Sequence, residues 1–171
     1  MKLFKKVSAM VVSLLMALAM VVPVAAANPT ITVKNIATDE NVTLSYLKVV
    51  KQDKTTKTGW AFVSDEVTKI FKEEYKKNDA QAILASLANS AAHSKALARL
   101  GNLNGFTKFT DNAGRKTEVD GAGLYVVKVV DNSNKYTYNV MAAPINFDYA
   151  GNPATLRNAE LNVKRSETRL T

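Results

Sequence analysis

The sequence contains no cysteine and only one histidine and one tryptophan among its 171 residues. Without cysteine the chain can form no disulfide and no thiolate metal site, and no bacterial lipid anchor can be attached to it. His93 has no second histidine with which to share a metal ion, so we expect a residue at the surface or at the core boundary. Any covalent reinforcement of the fold must use other chemistry.

Recognisable enzyme motifs are also missing. The sequence has no Gly-x-Ser-x-Gly, no His-Glu-x-x-His and no phosphate-binding glycine loop. Its carboxylates are numerous, but the sequence alone pairs none of them as a general acid and a general base. We therefore predict a protein that is not an enzyme and needs no metal or cofactor. A secreted hydrolase with an unfamiliar site is the weaker alternative.

The N-terminal residues have the pattern of an export signal. Three lysines precede an apolar run from Val7 to Val24, and small residues follow at Ala25, Ala26 and Ala27. An uncleaved membrane anchor is the alternative, because the run is almost long enough to span a bilayer. Pro23 and the alanines favour cleavage near Ala26 or Ala27. We assign residues 1–27 to a signal peptide, which predicts a secreted protein that meets the membrane only during export.

The positive charge of the chain is scattered. The net charge of +8 falls to +5 when the three lysines of the signal peptide are removed. The remaining basic residues are distributed over 51–57, 72–77 and 164–169, without exposed aromatic residues between them. A surface that binds nucleic acid concentrates both kinds of side chain. We therefore expect no nucleic-acid partner.

Strand patterns occupy both ends of the mature chain. Ile31 and Val33 alternate with polar residues, and a second pattern from residue 42 changes phase near Tyr46, which predicts a bulge or bend there. Residues 106–109 form a short strand pattern, and residues 115–119 are expected to pair back on it. A last strand covers residues 159–164 with one buried face.

A helical insertion is expected at about residues 65–100. Ser64 is a suitable N-cap, and acidic residues follow in the first turn of a helix that ends near Asn78. Asp79 caps a second helix that continues to Leu100, where Gly101 ends it. The sequence thus predicts a pair of helices inserted between strands.

The clearest hairpin pattern lies in residues 121–149. Leu124 to Val130 is apolar on both faces except at Lys128, which predicts a strand inside a sheet. Residues 131–134 form a turn, and a return strand alternates from Tyr136. Pro144 predicts an edge or a break in pairing, because it cannot donate a ladder hydrogen bond. Together these patterns predict a β-sandwich that carries two helices on a connection.

Three patterns follow one another in a distinctive order: a Gly-x-Tyr strand at residues 123–125, a Tyr-x-Tyr-Asn strand at 136–139, and a proline after them. With the export signal, the early strands and the helical insertion, this order resembles the N-terminal domain of Gram-positive pilin backbone subunits that sortase assembles. The resemblance covers most of the mature chain. It implies a mainly β, immunoglobulin-like β-sandwich with an inserted pair of helices, spanning residues 28–165.

The same resemblance implies a function. It suggests a structural protein of the Gram-positive cell wall or cell surface, joined covalently into a pilus shaft, with sortase and other pilin subunits as partners. Host surface ligands are further partners that such a protein would meet. Residues 166–171 are then a linker or the start of a next domain, since the sequence shows no sorting signal. The alternative is a free secreted binding or adhesin-type β-sandwich domain that does not polymerise.

In such pilins a sortase joins the sorting-signal threonine of one subunit to a lysine of the next, usually in a Tyr-Pro-Lys-Asn-like motif. The resemblance places the acceptor at Lys164, in Leu-Asn-Val-Lys-Arg-Ser (161–166). Neither the Tyr-Pro before the lysine nor the Asn after it is present. An exposed lysine at a strand end, with no acceptor role, is the alternative interpretation.

Many domains of these pilins also carry an internal Lys–Asn amide bond. The chain order that this implies places Lys34 as the amine, Asn162 as the amide and Glu118 or Asp120 as the assisting acid. The reaction needs a neutral amine and a proton-carrying acid in an apolar setting. Lys34 as an ordinary exposed residue is the simpler alternative.

Overall fold

The computed structural model describes residues 28–87, 93–145 and 158–167. The expected signal peptide at 1–27, the connection expected at 147–153 and the last residues, 168–171, lie outside these ranges. Within them the chain forms strands, then helices, then strands again. The strands are β1 (Thr30–Lys34), β2 (Val42–Gln52), β3 (Trp60–Phe62), β4 (Thr107–Lys108), β5 (Lys116–Glu118), β6 (Gly123–Asp131), β7 (Tyr136–Tyr138), β8 (Met141–Ile145), β9 (Ala159–Asn162) and β10 (Arg165–Glu167), and the helices are α1 (Asp65–Tyr75), α2 (Ala80–Ala85) and α3 (His93–Leu100).

The largest sheet has the strand order β3-β2-β6-β8, and β4 also pairs with β2. Strand β6 lies between β2 and β8, which confirms the prediction of an interior strand from its apolar faces. Pro144 lies opposite Leu124 in β8, at the end of this strand order. The prediction of an edge position for Pro144 is therefore also confirmed.

Successive residues of β6 are buried on opposite sides of this sheet. Leu124 and Val126 pack among the helices, whereas Tyr125 and Val127 pack against the strands of the second sheet. The molecule therefore has two apolar clusters that share the central sheet as their wall. The helical cluster contains Trp60, Phe71, Ile83, Leu84, Leu87 and Leu100, and the inter-sheet cluster contains Ile31, Val33, Leu44, Phe109, Tyr138 and Val163.

Strand β2 contains the bulge that the change of phase predicts. Its register against β6 is regular as far as Lys48 and shifts between Lys48 and Val50. Val49 and Val50 are consequently both buried on the helical side. The bulge lies a few residues beyond Tyr46, because Tyr46 and Leu47 still alternate across the two faces of the sheet.

The second sheet has the order β5-β1-β9 and covers the other face of the central sheet. Strand β1 is antiparallel to β5 and parallel to β9. The predicted last strand with one buried face is confirmed by β9 and the buried Val163 that follows it. The expected pairing of residues 115–119 with 106–109 is wrong, since β4 pairs with β2 and only Asp111 and Lys116 form a bridge.

The start of the helical insertion agrees with its local signals. The Ser64 side chain accepts a hydrogen bond from the Val67 amide, and the Asp79 carboxylate accepts from the first amides of α2. The prediction of one continuous helix from Asp79 to Leu100 is wrong. Helix α2 ends at Ala85, and its C-cap Ser86 has a backbone that leaves the helical region and a hydroxyl that donates to the Ala82 carbonyl. The described insertion therefore has three helices where the sequence predicts a pair.

The predicted hairpin around residues 131–134 needs a correction. Strand β7 does not pair with β6; it pairs with β10, and β8 provides the antiparallel partner of β6. Asp131 causes the departure, because its carboxylate accepts hydrogen bonds from the amides of Ser133, Lys135 and Tyr136. These bonds close the turn and direct β7 away from the central sheet.

The predicted fold class, a mainly β sandwich with inserted helices, is confirmed. Strand β10 extends the ordered strands two residues beyond the domain end expected at 165. Within the described ranges, every helix is too short or too polar to cross a membrane.

Candidate functional site: a lysine between two strands

Lys164 lies between β9 and β10, and its side chain is exposed. Val163, immediately before it, is buried in the inter-sheet cluster, which directs the next side chain outward. The Lys164 amide donates to Asn139 Oδ1 at 2.9 Å, and the Lys164 carbonyl accepts from the Asn139 amide at 3.2 Å. The lysine therefore presents an exposed side chain from a backbone that is fixed at both of its polar groups.

Arg165 leads from this lysine into a cluster of polar side chains that we call the Glu40 clamp: Glu40, Tyr136, Tyr138 and Arg165. The Tyr138 hydroxyl donates to Glu40 Oε1 at 2.5 Å, and Arg165 Nη1 forms an ion pair with the same oxygen. Glu40 Oε2 accepts from the Ala37 amide at 2.8 Å. The Arg165 guanidinium also lies over the Tyr136 ring, 4.0 Å from its centroid.

The charge states of Glu40 and Tyr138 favour the hydrogen bond between them. The hydrogen bond from Tyr138, aided by the Ala37 amide and by Arg165, holds the pKa of Glu40 below its ordinary value. Burial and the Glu40 carboxylate raise the pKa of Tyr138. Glu40 is therefore a charged acceptor, and Tyr138 is a neutral donor to it, over the whole neutral range.

A buried arginine holds the loop that carries Glu40. Arg115 Nη2 donates to the carbonyls of Ala37 and Glu40 at 2.8 and 3.0 Å, and Nη1 donates to the Asn112 carbonyl at 3.0 Å. Residues 37–40 lie outside the helices and strands, and the Arg115 side chain provides hydrogen bonds to their backbone. Glu40 is presented from a loop that is itself fixed.

A cavity of about 350 Å³ adjoins the clamp. Its two inner carboxylates are already engaged, Glu40 in the clamp and Asp131 by three backbone amides of its own turn. The first of these amides, that of Ser133, contributes most to holding the pKa of Asp131 below its ordinary value. In the described part of the chain no set of three or more acids or histidines is arranged to hold a metal. The lining residues are Ala37, Asp39, Glu40, Asn41, Asp131, Ser133, Lys135, Tyr136 and Arg165.

The residues of the predicted amide bond are brought together only in part. Lys34 and Asn162 are paired positions in the parallel strands β1 and β9, but Lys34 is exposed and its Nζ lies 3.2 Å from Glu160 Oε1. Glu118 is exposed and pairs with Thr30 at the opposite end of β1. The amide bond stays a prediction. Its formation would release one ammonia, so the intact mass of the mature chain tests it.

The other two sequence-derived candidates have simple surroundings. His93 opens α3 at the core boundary, and burial lowers its pKa. Asp120 lies in the turn before β6, where its carbonyl accepts hydrogen bonds from Lys48 Nζ at 2.6 Å and from the Tyr125 hydroxyl at 2.8 Å. Neither arrangement adds a group to the surroundings of Lys164.

A comparison with protein-family models finds no match, and a comparison with curated proteins finds none either. Among solved structures the chain is similar to the T6 backbone pilin of serotype M6 Streptococcus pyogenes, a protein with a modular three-domain structure. The sequences are 15% identical, and the TM-score is 0.44. The match covers 81% of this chain and 28% of the pilin chain, so this chain spans less than a third of the pilin's length.

Proposed function

We propose that this chain is the N-terminal domain of a pilus shaft subunit of a Gram-positive bacterium, joined by a sortase through the amine of Lys164. The role is structural, and the partners are the sortase and neighbouring subunits at the cell wall. The export signal and the order of strands and helices support this proposal. The observation that carries it is the exposed Lys164 side chain on a backbone fixed by Asn139.

Three other lysines in strands have amines that are already engaged, which makes them less suited to accept an acyl group. Lys48 donates to the Asp120 carbonyl at 2.6 Å, and Lys128 donates to the Gly101 carbonyl at 3.0 Å. Lys34 is engaged with Glu160. Lys164 has no carboxylate within 4.0 Å among the residues that the structure describes. Within that part of the chain, no acid holds its amine away from an incoming acyl group.

The reaction that this site would support is an acyl transfer. The neutral Lys164 amine attacks the threonine carbonyl that the sortase carries as an acyl group. The bond from the carbonyl to the enzyme breaks, an amide bond to Nζ forms, and a proton leaves the nitrogen. The domain contributes the placement of its amine, and the sortase contributes the catalysis.

The proposal is tested in cell-wall extracts of the source organism, boiled in SDS and probed with an antibody against this domain. We expect a ladder of high-mass bands that disappears in Lys164→Arg. Lys135→Arg is the matched control, because Lys135 is also exposed and lines the cavity beside the clamp. A ladder that survives Lys164→Arg would move the acceptor to another lysine.

The same experiment separates the alternative function. A single band near the monomer mass in the culture medium would contradict polymerisation and would favour a free secreted binding domain. Host surface ligands would then be the partners to seek.

A further inference from the structure

The strand that follows Lys164 has little backbone support of its own. Strands β7 and β10 have three residues each, and in the described ranges they form a sheet of only these two strands. Isolated two-stranded ribbons are marginally stable in water even when they are longer. Side-chain contacts must therefore contribute much of what keeps β10 in place.

The Glu40 clamp supplies these contacts from three directions. The Glu40 carboxylate forms an ion pair with Arg165 of β10. It also accepts hydrogen bonds from the Tyr138 hydroxyl of β7 and from the Ala37 amide in the loop between β1 and β2. The Glu40 side chain is 15% exposed and the Arg165 side chain 42%, so the hydrogen bond from Tyr138 is better shielded from water than the ion pair with Arg165. One carboxylate thus joins both strands of the ribbon to the loop that Arg115 holds.

We propose that Glu40 is a positioning residue for Lys164, because the clamp determines whether β10, which begins at the next residue, is docked. Arg165 is the direct neighbour of Lys164, so release of Arg165 leaves the lysine held by the two Asn139 hydrogen bonds, without the docked strand that follows it. The docked strand presents the amine in one direction, and the released strand presents it in many. The clamp would therefore set the rate at which Lys164 accepts an acyl group.

Only the part of this inference that concerns the rate of acyl transfer rests on the proposed function. The docking of β10 can be measured without a sortase, by hydrogen exchange of the amides of residues 164–167 in the full mature chain. In Glu40→Gln and in Tyr138→Phe we expect these amides to exchange about tenfold faster than in the wild type. The amides of β2 and β6 should exchange at unchanged rates, which shows that the variants are folded.

Glu160→Gln is the matched control. Glu160 is an exposed acid in β9 whose ion pair with Lys34 makes no contact with the clamp, so its loss should leave the exchange of 164–167 unchanged. Exchange of these amides at the wild-type rate in both clamp variants would overturn the proposal.

The second readout is the initial rate at which a purified sortase transfers a labelled sorting-motif peptide to Lys164. We expect this rate to fall severalfold in Glu40→Gln and in Tyr138→Phe, and to stay unchanged in Glu160→Gln. Faster exchange with an unchanged transfer rate would overturn the positioning role. If the wild type accepts no peptide at Lys164, the proposed function fails, and the exchange measurement alone decides whether Glu40 docks β10.

Discussion

Lys164 and Asn139 hydrogen-bond to each other twice. The Lys164 amide donates to Asn139 Oδ1 at 2.9 Å, and the Asn139 amide donates to the Lys164 carbonyl at 3.2 Å. The first bond uses the asparagine side chain and the second uses only its backbone. A substitution at Asn139 can therefore remove one bond and leave the other, which makes the support of Lys164 accessible to experiment.

Asn139→Ala should destabilise the domain by about 1 kcal/mol, because it leaves the Lys164 amide without its acceptor. Asn139→Asp puts a carboxylate oxygen in the place of the amide oxygen, keeps an acceptor for the Lys164 amide and should be close to the wild type. The measurement is the urea midpoint of unfolding, followed by the tryptophan fluorescence of Trp60, which is fully buried. Equal midpoints for the alanine variant and the wild type would show that the bond does not contribute to folding.

Acid should weaken the attachment of β10 before it unfolds the domain. The pKa of Glu40 is below its ordinary value of 4.5 in the folded protein, so its stabilisation is complete above about pH 4.5 and is lost as the pH falls through the folded pKa. Asp131, whose pKa is also lowered, acts in the same direction.

The measurement is the free energy of unfolding as a function of pH, obtained by urea titration. Below pH 4.5 this free energy should fall less steeply in Glu40→Gln than in the wild type, because only the wild type retains the Glu40 titration. Identical slopes for the two proteins would show that Glu40 gains nothing from its charge in the folded state.

Features with local signals could be predicted from the sequence. The cap at Ser64 depends on residues three positions apart, and the interior position of β6 depends on its own apolar residues. The outward direction of Lys164 follows from its alternation with the buried Val163. In each case the physical cause lies within a few residues of its effect.

Features that depend on distant partners could not be predicted in this way. The pairing of β7 with β10 joins segments more than 25 residues apart, and the ion pair of Glu40 with Arg165 joins residues 125 positions apart. Neither Glu40 nor Asn139 stands in a motif that indicates its role. Arg115 is a buried charge whose partners are backbone carbonyls. Every residue has such a carbonyl, so the sequence does not indicate which of them Arg115 will contact.

Gln81 is a polar residue with a structural role that helical periodicity does not reveal. Its Oε1 accepts hydrogen bonds from the Thr58 hydroxyl at 2.7 Å and the Thr58 amide at 2.9 Å, and its Nε2 donates to the Trp60 carbonyl at 2.9 Å. Gln81→Ala should therefore lower the free energy of unfolding by about 2 kcal/mol, since it leaves polar groups of Thr58 and Trp60 without this partner.

Thr55→Ala is the control for this prediction. Thr55 lies in the same loop at an exposed site, and its hydrogen bonds within the described residues go to Asp53, so its loss should change the free energy of unfolding by less than about 0.5 kcal/mol. Urea unfolding of both variants tests the comparison. Similar losses of unfolding free energy in the two variants would mean that the conformation of the loop, and not its attachment to α2 through Gln81, provides the stability.

Gly101, which directly follows α3, stands at a position with little space for a side chain. A Cβ atom at this position would lie 2.8 Å from Val140 Cγ2, and the Gly101 backbone is not among those in the left-handed region. Gly101→Ala should therefore destabilise the domain by about 1–3 kcal/mol through overpacking and not through backbone strain.

The double variant Gly101→Ala/Val140→Ala has room for the new methyl group. Its free energy of unfolding should exceed the value expected from adding the two single losses by about 1 kcal/mol, measured as a double-mutant cycle. Additive losses would instead assign the need for glycine to the backbone.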